Sequence, residues 1–212
     1  HFDGTAIRDE KVKVIRLLRP IGEKDVPNLT VTGQYGAGAV GEKIVKSYAD
    51  ELGKASDTET FIAIKAHVVN WRWQGVPFYL RTGKRLRART SEIAIVFREP
   101  PHSIFDDSGE QKANQLVIRL QPNEGMNLKV MIKEPGPGGM RLVEGPLDMS
   151  FAEALGPEGA DMPDAYESLI TDGSRGNQTL FMRGDEVEAA WAWADPIIQA
   201  WENGAGQPES YD

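Results

Sequence analysis

The sequence predicts an α+β fold: one large, mainly antiparallel sheet with helices packed on one face. Three observations carry this. Apolar residues recur at helical spacing only towards the two ends of the 212-residue chain. The middle alternates with period two, and its runs are joined by turns rather than by the crossover helices that a parallel sheet needs. The pattern contains no Rossmann unit, and 1–212 is expected to form a single domain.

Taken in order, residues 7–18 place Ile7, Val14, Ile15 and Leu18 on one helical face, with Arg8, Asp9, Lys13 and Arg16 elsewhere and Pro20 as a stop. From Phe61 the period becomes two. Ile62, Ile64, Ala66 and Val68 fall on one side and Lys65, His67, Trp71 and Trp73 on the other, which predicts a long strand with one buried face. Gln74-Gly75-Val76-Pro77 reads as a turn and residues 78–81 as a short return strand. Residues 92–98, 115–121 and 126–133 alternate again, and the Gly/Pro-rich residues 134–139 read as a loop. Residues 164–171 predict a short helix. Residues 185–201 predict a longer one, with Val187, Trp191, Ala194, Ile198 and Trp201 along one stripe and a kink at Pro196.

With 24 basic and 32 acidic residues the net charge is -8, so no general attraction to nucleic acid or anionic membrane is expected, and any basic site must be local. No cysteine is present, which excludes disulfides and thiolate metal sites, and three scattered histidines argue against a metal centre. No apolar run has the length of a membrane helix, and a cytoplasmic location is expected. The first residue is His1 rather than methionine, from which a piece or processed product of a longer protein is expected.

Gly36-Ala37-Gly38-Ala39-Val40-Gly41 spells G-x-G-x-x-G, a pattern that cradles a pyrophosphate when it joins an apolar strand to a helix N-terminus. Here the preceding residues 28–32 are short and polar, and the candidate ribose-binding acids Asp57 and Glu59 come before the next apolar strand instead of at its end. In a chain with 22 glycines the match reads as a connecting loop.

The densest charge is Leu80-Arg81-Thr82-Gly83-Lys84-Arg85-Leu86-Arg87-Ala88-Arg89, five basic residues in nine positions. A cationic loop with a glycine for close approach suits a phosphate dianion, and a solvated basic turn is the alternative. Trp71-Arg72-Trp73 offers a sugar-stacking platform, against the commoner use of such rings in cores or interfaces. Val117, Arg119 and Gln121 share the polar side of their strand, a ligand face or a solvent face. Asp9 and Glu10 read as surface partners of Arg8 and Lys11, and His67 has no serine or acid spaced to make a triad.

Six stretches, "IRDEKVKVIRLLRP", "GQYGAG", "TETF", "NWRWQGVPFYLRTGKRL", "QLVIRLQPNE" and "PDAYESLI", resemble the glucose-6-phosphate dehydrogenase family. They keep the order and approximate spacing of that family's C-terminal half, from about Ile7 to Trp201. The resemblance implies an α+β domain whose large sheet forms a homodimer, or a homotetramer built from it. It implies a parent enzyme that oxidises glucose 6-phosphate to 6-phosphogluconolactone with reduction of NADP. The family's histidine base and its NADP-binding Rossmann domain belong to an N-terminal half absent from this sequence. No catalytic residue is therefore expected here, and the chain alone is expected to be inactive. By position, the resemblance implies substrate contacts at Lys84, Arg89 and Gln121. It further implies a second, structural NADP held by Arg81, Arg119, Lys129 and Arg183. Two other basic positions of that site are Thr90 and Ala94 here, which removes charge from it. The alternatives are a non-catalytic sugar-binding module built on Trp71 and Trp73, and an assembly unit only.

Overall fold

Asp3 caps the first helix of the protein, its carboxylate accepting from the Thr5 and Ala6 amides at 2.8 Å each. A computed structural model describes residues 3–40, 43–99, 112–137, 141–156 and 165–211. Helix α1 (Gly4–Arg16) is followed by α2 (Val26–Leu29), β1 (Thr30–Tyr35), the short strands β2 (Gly38–Val40) and β3 (Lys43–Val45), and α3 (Tyr48–Leu52). Next come β4 (Phe61–His67), β5 (Pro77–Gly83), β6 (Ser91–Val96), β7 (Gln115–Gln121), β8 (Gly125–Lys133), β9 (Leu142–Ser150) and α4 (Phe151–Leu155). The order closes with α5 (Ala165–Ser174), α6 (Gly184–Glu202) and β10 (Glu209–Tyr211).

The expected class, α+β with antiparallel pairing, is borne out, but among the described residues the strands do not make one large sheet. They divide into two sheets of four strands, ordered β10-β1-β4-β5 and β6-β7-β8-β9, and a small β2-β3 pair. The chain likewise separates into two units, residues 1–86 with 165–212, and residues 87–164. Alternation marks strands without saying which strands share a ladder, and the basic stretch 84–89 carries the chain from one sheet to the other.

In the first unit, Ile64, Ala66 and Val68 of the β4 segment are buried, on the side their spacing predicts. Ile64 packs with Ile21, Val26, Ile197 and Ala200, so α2 and α6 cover one face of this sheet. Helix α6 runs 19 residues through Pro196. Its buried stripe is rotated from the predicted one: Glu186, Ile197 and Ala200 face inward and Trp191 is exposed. The indoles decide the rotation, because Trp193 and Trp201 each find an acceptor, the Arg19 carbonyl at 2.9 Å and the Thr30 hydroxyl at 3.0 Å. A similar rotation places Val12, not Val14, at the buried centre of α1.

In the second unit all three strand pairs are antiparallel. The register puts Ile93 and Ile95 of β6, Leu116 and Ile118 of β7, Met126 and Leu128 of β8, and Leu147 and Met149 of β9 on one face. Arg119, Asn127, Lys129, Glu144 and Asp148 lie on the other. Strand β9 does not emerge from the sequence pattern because Gly145 and Pro146 interrupt it. Proline is accommodated there because β9 is an edge. Asp164 of the predicted short helix, and Gly138 and Gly139 of the predicted loop, lie outside the described residues.

Candidate functional site

The face of the first sheet opposite α6 carries the basic loop. Register pairs Gly33 with Phe61, Phe61 with Gly83, and Tyr35 with Tyr211, which brings three rings onto that face. The Tyr211 ring meets Phe61 edge-on at 5.8 Å and Tyr35 at 6.5 Å between centroids. A Cβ on Gly83 would lie 2.8 Å from Phe61 Cδ2. The glycine of the basic loop is therefore required by the close approach of an aromatic ring, whereas the sequence suggested the close approach of a phosphate.

Immediately after Gly83, the Lys84 amide donates to the Thr60 carbonyl at 2.8 Å, and the Lys84 carbonyl accepts from the Tyr211 hydroxyl at 2.8 Å. The backbone of Lys84 is thus held on both sides. Its ammonium is exposed and makes no hydrogen bond or ion pair among the described residues. Arg85 contrasts with it. The Arg85 guanidinium is engaged by the Glu51 carboxylate of α3 and lies 5.3 Å from the centre of the Tyr35 ring. Tyr35 donates its hydroxyl to Glu51 at 2.8 Å, and that bond holds the phenol above its ordinary pKa. Of these two adjacent cations only Lys84 is available to an anion from outside. Arg81 lies on β5 opposite Ala63, exposed.

Arg89 and Gln121 belong to the second unit. The Thr90 hydroxyl donates to the Gln121 carbonyl at 3.2 Å and Ser91 pairs with Gln121, so the β6-β7 ladder sets Arg89 beside the end of β7. Arg119 and Lys129 share the polar face of this sheet. Arg119 pairs with Gly125, four residues before Lys129 on β8, a separation of about 13 Å. Arg119 is already committed. It donates to Asp148 at 2.6 Å and to the Asn123 carbonyl at 3.1 Å. The Asp148 carboxyl, bonded by Arg119 and then by Asn127, is held below the usual carboxylate range.

Arg183, directly before α6, is committed more fully. Its Nε and Nη2 donate to the two oxygens of Asp185 at 2.6 and 2.9 Å, and its Nη1 to Asp9 at 2.7 Å. Asp185 and Asp9 together raise its pKa further. Asp9 thus pairs with Arg183 rather than with a neighbour on its own helix, and Glu10 pairs with Lys13 at 2.6 Å rather than with Lys11.

Trp71 and Trp73 lie in a turn after β4 and not on the strand itself. Trp71 is fully exposed, while Trp73 packs edge-on against Phe78 at 5.3 Å with Arg72 over its ring, so the pair makes no two-ring platform. His67 serves through its backbone, its carbonyl accepting from the Arg19 amide at 2.8 Å. The glycine-rich stretch forms a hairpin, β2 against β3, with Gly41 outside the described residues. The next helix, α3, does not start until Tyr48, so a pyrophosphate has no adjoining helix N-terminus there, and the stretch does not fit a coenzyme.

Sequence reasoning passed over Glu51, Thr60 and Tyr211. Thr60 sits within the quoted "TETF", but nothing in its spacing marked a partner more than 20 residues away.

The model of the family described as glucose-6-phosphate dehydrogenase, C-terminal domain, matches residues 1–212. The glucose-6-phosphate 1-dehydrogenase of Rhizobium meliloti (strain 1021) is 60% identical over 212 residues, covering 99% of this chain and 43% of that protein. That of Zymomonas mobilis is 52% identical over 214 residues, covering 100% of this chain and 44% of the relative. A solved structure of glucose-6-phosphate dehydrogenase in complex with its substrate glucose-6-phosphate superposes with a TM-score of 0.83 at 37% identity, covering 100% of this chain and 42% of that one. A glucose-6-phosphate 1-dehydrogenase structure from Mycobacterium avium superposes at 0.75 with 28% identity, again over 100% of this chain and 40% of the other. The chain thus spans less than half the length of these relatives, and it belongs to the glucose-6-phosphate dehydrogenase family, whose C-terminal domain it matches throughout.

Proposed function

We propose that this chain is the substrate-completing and dimer-forming domain of an NADP-linked glucose-6-phosphate dehydrogenase of the cytoplasm. The parent reaction oxidises the C1 hydroxyl of glucose 6-phosphate and yields 6-phosphogluconolactone. NADP, held by the coenzyme domain of the parent enzyme, supplies the hydride acceptor. The chain's own residues bind and orient the phosphate end of the sugar. Alone it lacks both the hydride acceptor and the base, and no turnover is expected from it.

One observation carries the reading: Lys84 presents an ammonium that is unpaired among the described residues, from a backbone fixed by Thr60 and Tyr211, while Arg85 beside it is neutralised by Glu51. A compact point charge in that position suits a phosphate dianion. Arg89 and Gln121 are assigned as further substrate contacts from the resemblance. A structural nucleotide is not part of the proposal, because Arg119 and Arg183 already satisfy Asp148, Asp9 and Asp185, which a phosphate would have to displace.

The uncovered apolar face of the second sheet supports homodimer formation, and a homotetramer is compatible with it. Among the described residues no helix is long and apolar enough to cross a membrane.

The direct test is Lys84→Ala in the complete enzyme. Loss of one charge-assisted contact of about 1.5 to 3 kcal/mol raises the KM for glucose 6-phosphate roughly 10- to 100-fold. An unchanged KM would remove Lys84 from the phosphate site.

A further inference from the structure

We infer that Tyr211, acting with Thr60, is a positioning residue for Lys84, and that strand β10 is part of the substrate site through this one hydroxyl. The inference rests on the assignment of Lys84 to the phosphate.

Four hydrogen bonds form a connected set with each hydrogen used once. The Tyr35 amide donates to the Thr60 hydroxyl at 2.9 Å. That hydroxyl lies 2.9 Å from Tyr211 Oη and is assigned as the donor to it, since the phenol's single hydrogen goes to the nearer carbonyl of Lys84. The phenol donates to the Lys84 carbonyl at 2.8 Å, and the Lys84 amide returns to the Thr60 carbonyl at 2.8 Å. A second acceptor, the Thr60 carbonyl, lies 3.2 Å from the phenol, farther than the Lys84 carbonyl. The phenol therefore bonds the peptide that joins Lys84 to Arg85.

That peptide is one whose orientation matters. Arg85 has a φ of +54°, a left-handed conformation that a residue with a Cβ adopts only under constraint. The constraint comes from both ends, Glu51 and Tyr35 holding the Arg85 guanidinium and Tyr211 holding the carbonyl before it. With the peptide after Lys84 released, the Lys84 Cα is held to β5 from one side only, and the flexible lysine stem would then have to be ordered anew at each binding event.

The placement of Tyr211 is itself built in. Strand β10 pairs in parallel with β1, registering Tyr211 against Tyr35. Glycine at position 33 makes room for the ring, since a Cβ there would sit 3.0 Å from Tyr211 Cδ1 and would press it away. A tyrosine used merely to cover Phe61 could be a phenylalanine. The hydroxyl is what reaches the loop.

The test uses the complete enzyme and three variants: Lys84→Ala, Tyr211→Phe and the two combined. Tyr211→Phe keeps the ring contacts, so the fold is retained. The expected result is a KM for glucose 6-phosphate raised about three- to tenfold, with kcat and the KM for coenzyme unchanged. In the Lys84→Ala background Tyr211→Phe adds nothing, because it acts only through that side chain. Faster amide exchange in the peptide containing Lys84 accompanies the kinetic change. A Tyr211→Phe enzyme with wild-type KM, or one whose effect adds fully to that of Lys84→Ala, overturns the inference and leaves the function standing. A wild-type KM in Lys84→Ala overturns the phosphate reading and the inference with it.

Discussion

The two four-stranded sheets start from similar alternating sequences and meet opposite fates. The first packs Ile64 against Val26 of α2 and Ile197 and Ala200 of α6, and Ile197 there is 1% exposed. The second has an equally continuous apolar face, yet Leu147 on it is 63% exposed, and Ile93, Ile95, Ile132 and Met149 are also open. Among the described residues every buried apolar side chain belongs to the first unit. One sheet is finished within the chain, and the other keeps an open apolar face, which the proposed dimer would cover with a second copy. The difference separates stability from assembly, and substitutions in the two sheets should separate them too.

The largest effect belongs to the finished sheet. Ile197→Ala removes a fully buried side chain from the centre of the core and should cost about 2 to 5 kcal/mol of stability, read from denaturant unfolding of the complete enzyme. A loss under about 1 kcal/mol would mean that α6 is not the lid of this core. The next belongs to the open sheet. In the proposed dimer Leu147→Asp places a carboxylate in each of two facing copies and should split it in a sedimentation experiment, while the unfolding of the first unit stays near wild type. An unchanged sedimentation coefficient would move the dimer interface away from this face.

The sequence displayed β4 to β8 because alternation is a local signal, whereas β1, β9 and β10 of the two sheets did not stand out. The side of β4 that is buried could be read directly from Ile64 and Ala66. The longer helices α1, α5 and α6 were legible as helices and the short α2, α3 and α4 were not; the buried side of α6 was turned by about one residue, and that of α1 centres on Val12 rather than Val14. Apolar spacing gives equal weight to Trp191 and Trp193, and only the acceptor at the Arg19 carbonyl chooses between them. The basic loop could be read from its charge alone, yet its division of labour could not. That Arg85 is neutralised and Lys84 free depends on Glu51, more than 30 residues upstream, and on Tyr211, more than 120 downstream. Non-local pairing of this kind leaves no trace in spacing. Arg119 and Arg183 illustrate the converse: each looks like an anion site until Asp148, Asp185 and Asp9 are placed beside it.

The smallest effect concerns those arginine clasps, one in each unit. Arg183 ties the start of α6 to α1 through Asp9, and Arg119 of β7 reaches Asp148 of β9 across β8. Asp185 and Asp148 both have carboxyls held below their ordinary value of 3.8, chiefly by these arginines. A carboxyl whose folded value is depressed binds fewer protons than in the unfolded chain, so each clasp contributes stability above pH 3.8, lost as the pH falls through the lower folded value. The groups are partly solvated, so salt should weaken both contributions. Melting temperatures followed from pH 7 to about pH 3 should therefore fall less steeply at the acid end in Asp185→Asn and in Asp148→Asn than in the unaltered protein. The Asp185 variant should act on the melting of the first unit and the Asp148 variant on that of the second, since each clasp lies within one of them. Acid limbs that superpose on the unaltered protein would show that these ion pairs are indifferent to folding, and that their arginines are freer for an anion than their geometry implies.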